Sequence, residues 1–383
     1  MTELTVIDVD THITEPPTVW TDRMASKWGE LIPRIERIDG FDIWVINGAP
    51  YSKPGNTAMA GFDGVLPDGP RTFDDMPKAA WDPEARLQYM DDNGVLSHVL
   101  YPNLGGFGAG NWLDAGSPEF ALDAVRAYND FQTDFASVAP DRLLPITSLP
   151  FWDVDASVTE LLRCAAAGHR GVNFCNQPEK YDQPRLWDEH WDRIWAAARE
   201  ADIPVNFHIG GGRMGEQFAV GGEMGWRANF SRISSKIFMD NLSCITDLIH
   251  GGVCHRFPDV DFVSVESGIG YLPAALETMD WQWRNGGVRE EHPEYDLLPS
   301  EYFRRQVYGC FWFESAALVA AIDAFPDNMM FESDFPHPTC QHPGPATPAV
   351  GVQPYIEREL SGISAEVRDK AIRGNAARLY KVS

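Results

Sequence analysis

Basic residues are scarce in this sequence. Its 383 residues include 31 Lys and Arg against 56 Asp and Glu, which gives a formal net charge of −25. A field of this sign repels the phosphate backbone of nucleic acids and anionic lipid surfaces. We therefore expect no nucleic-acid partner and no membrane association. A small anionic substrate is not excluded, because a few arginines or a metal ion can dominate the charge of a pocket.

Long apolar runs and paired cysteines are also missing. No run of 18 apolar residues occurs, so no segment has the length of a transmembrane helix. The first residues, MTELTVIDVDTH, lack the basic and apolar regions of a signal peptide. The six cysteines are dispersed and contain no CxxC pair, unlike the framework of a small secreted protein. We expect a reduced, cytoplasmic protein.

Short β-branched or apolar runs alternate with helix-like stretches along the chain. These stretches often begin at Asp or Ser and end at Gly or before Pro. Eight such alternations predict an α/β fold, the closed parallel (β/α)8 or TIM barrel, as a single domain over residues 1–383 with a C-terminal helix. The eight predicted strands are TVIDVD (5–10), SHVLYP (97–102), LLPITSL (143–149), GVNFCN (171–176), PVNFHI (204–209), DFVSVE (261–266), QVYGCF (306–311) and NMMFES (328–333).

Two irregular segments interrupt this pattern. Residues 16–81 are rich in Gly and Pro and contain FDIWVING, which is typical of a hairpin strand. The stretch GGGRMGEQFAVGGEMGWRAN (210–229) follows the fifth predicted strand. Insertions at the C-terminal ends of barrel strands cover the active site. We therefore interpret 16–81 as an inserted cap region and expect the second segment to line the same mouth.

Ligand-type side chains stand at the ends of three predicted strands. Asp10 and His12 lie two residues apart, so both side chains point to one face of the first strand. His208 ends the fifth strand, and Asp334 follows the eighth. Taken singly, each has an ordinary explanation as a turn former or a hydrogen-bonded buried residue. Together they predict one divalent ion, because two imidazoles and two carboxylates suit Zn²⁺, Mn²⁺ or Fe²⁺.

Four motifs carry a family resemblance. VIDVDTHITEP, NFHIGGG, HRFPDVDFVSVESGIGYLP and FESDFPHP resemble the first, fifth, sixth and eighth strand motifs of the amidohydrolase-related (amidohydrolase 2) family, which includes aminocarboxymuconate semialdehyde decarboxylase. The similarity covers nearly the whole chain, and SDFPH is its most specific piece. It implies a (β/α)8 fold, one divalent metal, and either hydrolysis or non-oxidative decarboxylation of a small molecule.

The chain departs from the family pattern at two positions. The usual HxH of the first strand is Asp10-Thr11-His12 here, closer to the acid-x-His of some aromatic-acid decarboxylases. Zinc is the first expectation for the ion, although this carboxylate makes Mn²⁺ more plausible than an all-imidazole set would. The family's sixth-strand histidine is replaced by Glu266. The bridging lysine of binuclear members has no counterpart in GVNFCN, since Lys180 comes four residues later, so we expect a mononuclear site.

The expected roles follow from residue chemistry. Asp334 would act as general base, and Glu266 as a proton shuttle distinct from the ligands, unless it only bonds the backbone amides of the SGIG turn. His337 would orient Asp334 or contact substrate, with loop packing as the alternative. Arg213 and Arg227 are candidates for binding a substrate carboxylate, because guanidinium offers bidentate geometry; solvent-exposed arginines are the alternative.

Three functions remain open at this point. The first is hydrolysis of an amide, ester, lactone or activated C–C bond of a cyclic or aromatic small molecule, by water that the metal activates. The alternative is a metal-dependent decarboxylase of an aromatic or muconate-type acid, and the third is a barrel that only binds a small ligand. Loss of the sixth-strand histidine favours hydrolysis, whereas Asp10 favours decarboxylation. A homodimer or higher homo-oligomer is expected.

Overall fold

The computed structural model describes residues 5–213 and 222–383, and its main sheet has eight parallel strands in the order β1-β5-β6-β7-β8-β9-β10-β11. Each overlaps one of the eight predicted runs, so the predicted strands are confirmed. The barrel strands are β1 Val6–His12, β5 Val95–Tyr101, β6 Leu143–Ser148, β7 Gly171–Asn173, β8 Val205–His208, β9 Phe262–Val265, β10 Val307–Phe311 and β11 Met329–Phe331, and a separate sheet contains β2 Arg34–Ile38, β3 Phe41–Ile46 and β4 Ala49–Ser52.

The main sheet closes on itself between β1 and the residues that follow β11. The backbone N–H of His12 donates to the carbonyl of Phe335 at 2.7 Å, and the N–H of Asp334 donates to the carbonyl of Asp10 at 3.0 Å. These bonds complete the (β/α)8 barrel that the sequence predicts. They also place the end of β1 directly beside Asp334.

Helices follow the barrel strands and cover them. Several begin as the sequence signals indicate: the Ser117 side chain accepts from the N–H of Phe120, and Asp153 accepts from the N–H of Ala156. Within the described residues, no helix is both long and apolar enough to cross a bilayer. The helices are α1 Pro83–Asn93, α2 Asn111–Ala115, α3 Pro118–Ala136, α4 Val154–Ala166, α5 Asp192–Ala201, α6 Trp226–Ser234, α7 Phe238–His250, α8 Val253–Arg256, α9 Leu272–Asn285, α10 Val288–Glu291, α11 Pro299–Gln306, α12 Leu318–Ala324, α13 Val352–Glu359, α14 Ala365–Asp369 and α15 Asn375–Tyr380.

Alternate positions of the strands form an apolar cluster inside the barrel. Leu379 and Tyr380 of the C-terminal helical region pack against it, and the Tyr380 hydroxyl donates to the Asn206 side chain at 2.6 Å. The C-terminal helix is therefore confirmed as α14, a π-helical turn Lys370–Gly374 and α15. The buried strand residues of this cluster are Ile7, Val9, Val99, Tyr101, Leu144, Ile146, Val263, Val265, Tyr308, Cys310 and Met330.

Residues 16–81 are irregular, as predicted, and include the three-stranded antiparallel sheet, whose β3 matches the expected hairpin strand. The N–H groups of Met59 and Ala60 donate to the carbonyl of Pro336 at 2.8 and 3.1 Å, which ties this segment to the loop after β11. Its role as a cap stays a prediction. Of the second irregular segment, residues 214–221 lie outside the described part of the chain. Short 3-10 helices are Ser26–Leu31, Pro54–Thr57, Lys78–Ala80, Pro178–Tyr181, Glu189–Trp191 and Gly222–Met224.

Candidate metal centre

Four of the sequence-predicted residues meet at the C-terminal ends of the barrel strands. Asp10 and His12 lie at the end of β1, His208 ends β8, and Asp334 follows β11; all four side chains are fully buried. Glu266 follows β9 directly, and its side chain is 13% exposed. The closed barrel therefore brings together residues that are more than 300 positions apart in the sequence.

An irregular pairing in β1 decides which acids reach this cluster. Asp8 pairs with His98 and Thr11 with Leu100, so three steps along β1 match two along β5. Such an extra residue is a β-bulge, which re-aims the side chains beyond it. Asp8 consequently accepts the N–H of Ser333 at 2.8 Å, while Asp10, two residues later, faces His208.

The ligand-type atoms are closely spaced. His12 Nε2 lies 3.4 Å from Asp10 Oδ1 and 3.6 Å from Asp334 Oδ1. His208 Nε2 lies 3.5 Å from Asp10 Oδ2 and 3.4 Å from Glu266 Oε2. Ligands that share one ion at about 2.1 Å, with angles between octahedral and tetrahedral values, are separated by roughly 3.0 to 3.5 Å. Three of the four distances fall in this range and the fourth, from His12 to Asp334, exceeds it by 0.1 Å, so the spacing is close to that expected around one small divalent cation.

The hydrogen bonds of the two histidines expose the same nitrogen in each ring. His12 Nδ1 lies 3.0 Å from the Pro102 carbonyl, and His208 Nδ1 lies 2.7 Å from the Ile209 carbonyl. A carbonyl only accepts, so each Nδ1 carries hydrogen and, in the neutral ring, each Nε2 presents a lone pair. The two Nε2 atoms are 3.2 Å apart. Two facing lone pairs are unfavourable unless a cation lies between them. Metal-binding histidines have the same arrangement, with one ring nitrogen bonded to a carbonyl and the other facing the metal.

Asp10 lacks hydrogen-bond donors for its carboxylate. Both oxygens of Asp10 are buried and accept no hydrogen bond. Burial raises the pKa of Asp10, and burial together with Asp334, Asp10 and Glu332 raises the pKa of Glu266 well above its ordinary value. Burial and the neighbouring His337 and His208 lower the pKa of His12. Buried carboxylates require a paired charge, and a divalent ion would supply it while leaving the imidazoles neutral.

His337 lies beside Asp334, and its role in orienting Asp334 or contacting substrate stays a prediction. Its ring stacks on that of His12 with centroids 3.7 Å apart, and its Nδ1 is 2.7 Å from Asp334 Oδ1. Burial opposes protonation of His337, but the Asp334 carboxylate raises its pKa above the ordinary value. Two polar residues that the sequence did not single out complete the contacts. Asn103 Oδ1 accepts from His337 Nε2 at 2.7 Å, and Thr339 Oγ1 donates to Asp334 Oδ2 at 2.7 Å.

The backbone is unusual where Glu266 and Asp334 leave their strands. Both residues have positive φ angles, 55° and 59°, in the left-handed region that costs energy for a side chain other than glycine. The N–H of Glu266 donates to Glu332 Oε2 at 3.1 Å. The amides of the following turn, at Ile269 and Gly270, donate to Glu314. The anchor of the SGIG turn is therefore Glu314.

The two predicted substrate arginines differ in their surroundings. Arg213 Nη1 lies 2.8 and 2.9 Å from the two oxygens of Asp114, and its Nε donates to the Lys180 carbonyl at 2.8 Å. Arg227 lies 3.2 Å from Asp68, with 64% of its side chain exposed. Arg227 also borders a cavity at the barrel mouth, and Arg213 is not among the residues lining it. A substrate-binding role stays a prediction for both.

The cavity beside His337 has a volume of about 250 Å³ and mainly apolar walls. One wall comes from the inserted segment, one from α6 and one from the loop after β11. Trp226 and Phe230 on α6 stack in parallel with ring centroids 5.2 Å apart. A flat apolar ligand would fit such a site, with polar groups only at its rim. Apolar lining residues include Met59, Phe62, Val65, Leu66, Trp226 and Phe230.

Comparisons with curated proteins find a partial match to decarboxylases. The chain is 28% identical over 129 residues to the gamma-resorcylate decarboxylase of Rhizobium radiobacter, which covers 33% of this chain. The match spans only 38% of that relative's length.

Solved structures resemble the whole chain. An amidohydrolase from Mycobacterium avium subsp. paratuberculosis K-10 aligns with a TM-score of 0.75 at 21% identity, covering 99% of this chain and 100% of that one. The 5-carboxyvanillate decarboxylase of Sphingomonas paucimobilis aligns with a TM-score of 0.66 at 20% identity, covering 100% of both chains. A dihydroxybenzoic acid decarboxylase from Polaromonas sp. JS666 was solved with bound manganese and the inhibitor 2-nitroresorcinol. It aligns with a TM-score of 0.60 at 18% identity, covering 100% of this chain and 98% of that one.

The family of this protein is identified by a match over nearly the whole chain. A family model described as amidohydrolase matches residues 7–382, from the first barrel strand to the last helix. This agrees with the motifs at the ends of the first, fifth, sixth and eighth barrel strands. The protein is an enzyme of the amidohydrolase family.

Proposed function

We propose that this enzyme is a divalent-metal-dependent decarboxylase of a small aromatic carboxylic acid. The observation that carries the proposal is the buried set of Asp10, His12, His208 and Asp334 at the mouth of the barrel, in which both Asp10 oxygens accept no hydrogen bond and the ligand-type atoms lie 3.4 to 3.6 Å apart. The similar proteins named above that carry a specific activity are decarboxylases of aromatic acids. They favour the second function considered from the sequence over hydrolysis.

The residues present fit a metal ion of the Mn²⁺ type. Asp10, His12, His208 and Asp334 would hold it, and when bound it would act as a Lewis acid that fixes and polarises the oxygen atoms of the substrate. Two hard carboxylates in the set, and manganese in the Polaromonas decarboxylase, lead us to propose Mn²⁺ instead of the Zn²⁺ first expected, with Fe²⁺ as a further alternative.

The proton-transfer groups are proposed to be Asp334, His337 and Glu266. Decarboxylation breaks the bond between the ring carbon and the carboxylate, CO₂ leaves, and the electron pair stays on the ring carbon. One proton must then reach that carbon. Asp334 and His337 form a close pair at 2.7 Å, and Glu266 reaches nearest the mouth, with a side chain 13% exposed. Their position around the proposed ion allows one of them to hold the proton and deliver it.

The substrate ring is proposed to occupy the apolar cavity beside His337. Phe62 and the stacked pair of Trp226 and Phe230 offer flat surfaces, and Arg227 offers a cation for an anionic oxygen at the rim. Arg213 is kept as a second candidate for such contact. Residues 16–81, which supply part of this wall, would act as the cap of a single-domain enzyme. A homo-oligomer stays a prediction.

Hydrolysis is the second candidate, and one observation favours it. Glu266 stands where the resemblance places a histidine, and Asp334 beside the proposed ion could accept a proton from an attacking water. An amide, ester or lactone of a cyclic molecule would then be the substrate.

A substrate screen with two readouts separates the candidates. We would load the purified protein with Mn²⁺ and offer hydroxylated and methoxylated benzoic acids, alongside aryl amides, esters and lactones. We expect CO₂ release and, in heavy water, one deuterium on the ring carbon that loses the carboxylate. The variant Asp334→Asn is the inactive control. Hydrolytic products that carry oxygen from labelled water, with no CO₂ release, would replace our proposal by hydrolysis.

A further inference from the structure

We infer that Glu266 is a fifth ligand of the metal ion, which makes the set Asp10, His12, His208, Glu266 and Asp334. This inference rests on the metal-dependent function proposed above. It assigns to Glu266 a role that the sequence did not predict, since the sequence suggested a proton shuttle separate from the ligands. The two roles can coexist on the two oxygens of one carboxylate.

Interatomic distances are the first support. Glu266 Oε2 lies 3.4 Å from His208 Nε2, while Asp10 Oδ2 lies 3.5 Å from the same nitrogen. Both values fall within the roughly 3.0 to 3.5 Å expected between neighbouring ligands of one ion. By distance to His208, Glu266 is as good a ligand as Asp10. A carboxylate that served only the substrate would not need to lie against a ligand nitrogen.

The three carboxylates also close around one point. Single oxygens of Asp10, Glu266 and Asp334 all lie within 4.8 Å of one another, as do ligand atoms of Asp10, His12 and His208. Ligands on opposite sides of an ion are about 4.2 Å apart when each bond is about 2.1 Å. Asp10 belongs to both groups, so a single position near Asp10 can serve both. An ion beside Asp10 would therefore have members of both groups as neighbours.

The local backbone directs the Glu266 side chain to that point. Its φ of 55° matches the φ of 59° at Asp334, the other carboxylate that leaves a strand end at the site. Glu332 bonds the N–H of Glu266, and Glu314 bonds the amides of the following turn. Two other carboxylates thus fix the strained turn. The Glu266 carboxylate is left to face the cluster.

A fifth ligand that is a carboxylate changes metal selectivity. With the imidazoles neutral, three carboxylates and one divalent ion leave a net charge of −1, and oxygen ligands outnumber nitrogen ligands. Hard oxygen donors suit Mn²⁺ better than a histidine would, whereas imidazole suits Zn²⁺. The exchange of the family histidine for Glu266 would therefore shift preference towards Mn²⁺. The variant Glu266→His should shift it back.

Metal affinity tests the inference independently of turnover. We would measure Mn²⁺ and Zn²⁺ dissociation constants of the full chain in metal buffers, with the electron paramagnetic resonance spectrum of bound Mn²⁺. Loss of residues that only support ligands costs about 10- to 100-fold in metal affinity, so we expect Glu266→Gln to weaken Mn²⁺ binding at least about 10-fold and to change the spectrum. Glu266→His should lower the ratio of Mn²⁺ to Zn²⁺ affinity.

A matched control is Glu314→Gln, which alters a glutamate that follows β10, accepts hydrogen bonds from the amides of the same turn and lies outside the cluster. It should keep Mn²⁺ affinity within a few-fold, and circular dichroism of the metal-free variants reports whether each one folds. Wild-type affinity and an unchanged Mn²⁺ spectrum in Glu266→Gln would overturn the inference, as would equal losses in both variants. If Glu266→Gln loses Mn²⁺ but the wild type decarboxylates no aromatic acid, the ligand assignment stands and the proposed function fails.

Discussion

Two buried polar regions of this enzyme differ in how their charges are satisfied. The first is the mouth cluster, defined as Asp10, His12, His208, Glu266 and Asp334. The second is the helix network between α3 and α4, defined as Asn129, Glu160, Arg163 and His169. Glu160 and His169, at 0% and 2% exposure, are about as buried as the mouth residues other than Glu266. Burial alone therefore does not distinguish a candidate site from a structural one.

Every charge of the helix network meets a partner within the protein. Arg163 donates two bonds to Glu160, at 2.6 and 3.0 Å, and Asn129 donates a third at 2.9 Å. Although burial opposes it, these bonds lower the pKa of Glu160 below its ordinary value. The two ring nitrogens of His169 lie 2.9 and 3.0 Å from the hydroxyls of Thr133 and Thr147. This network needs no further ligand.

The mouth cluster shows the opposite arrangement. Asp10 has two unpartnered oxygens, two Nε2 lone pairs face each other, and the pKa of Glu266 is raised where that of Glu160 is lowered. Buried polar groups in native proteins are nearly always bonded, so an unsatisfied group calls for an ion or a ligand. The contrast marks the mouth cluster as the candidate metal centre, because its buried polar atoms lack partners within the protein.

Replacing Asp334, the proposed proton-transfer residue of the mouth cluster, should reduce turnover more than any other change considered. Asp334→Asn keeps the shape but removes a charge and a base, so turnover of any substrate found should fall about 100- to 10,000-fold. Steady-state kinetics on the folded, metal-loaded variant measure the loss. Activity within a few-fold of the wild type would remove Asp334 from the reaction.

Breaking the helix network should act on stability instead. Glu160→Gln removes the charge that Arg163 pairs with, and because Arg163 is 43% exposed we expect a loss of only about 1 to 3 kcal/mol in the free energy of unfolding. Turnover per folded molecule should stay unchanged. Urea unfolding and kinetics on the same sample check both parts. A loss of turnover with unchanged stability would contradict the distinction between the two regions.

Glu15 is intermediate between the two regions, because its carboxylate is buried and hydrogen-bonded but its pKa is still raised. It accepts the N–H groups of Asn103 and Leu104, at 2.8 and 2.9 Å, yet burial raises its pKa from 4.5 to about 7. The folded state therefore favours the protonated form. This preference contributes to the free energy of unfolding. The contribution is fully present below about pH 4.5 and is lost as pH rises through about 7.

The side chain of the variant Glu15→Gln cannot ionise. The variant should therefore not lose stability as pH rises through about 7. The Tm of the variant minus the Tm of the wild type should therefore be larger at pH 8 than at pH 5, in metal-free protein at fixed salt. Thermal unfolding of both proteins at the two pH values provides the measurement. An equal Tm difference at both would show that Glu15 has the same pKa in the folded and unfolded chain.

The strand framework was predictable because it depends on local periodicity. All eight barrel strands follow from runs of β-branched and apolar residues, although the predicted first strand ended at Asp10 and β1 extends to His12. The β-bulge between Asp8 and Thr11 was not predictable, because register depends on how β1 pairs with β5. The positive φ at Glu266 is a non-local feature of the same kind.

Supporting residues were harder to find than ligands. Asn103 and Thr339 lie in loops whose paths the sequence does not define, although Asn103 directly follows a predicted strand and its position at a strand end was an available signal. Glu332 lies inside the predicted run NMMFES, where an acid among apolar residues was a further signal. The separation of three residues between Asp334 and His337 suggested a contact but left loop packing open, and the two side chains lie 2.7 Å apart.

Metal content measures directly whether the side chains of the mouth cluster hold an ion. Protein purified without chelator should contain about one equivalent of a divalent ion per chain, and a crystal of the Mn²⁺-loaded enzyme should show one anomalous peak contacting Asp10, His12, His208 and Asp334. His208→Ala should lose most of the ion, whereas His169→Ala, in the helix network, should keep it. Full metal retention in His208→Ala, or an anomalous peak away from these four side chains, would show that the mouth cluster does not hold the ion.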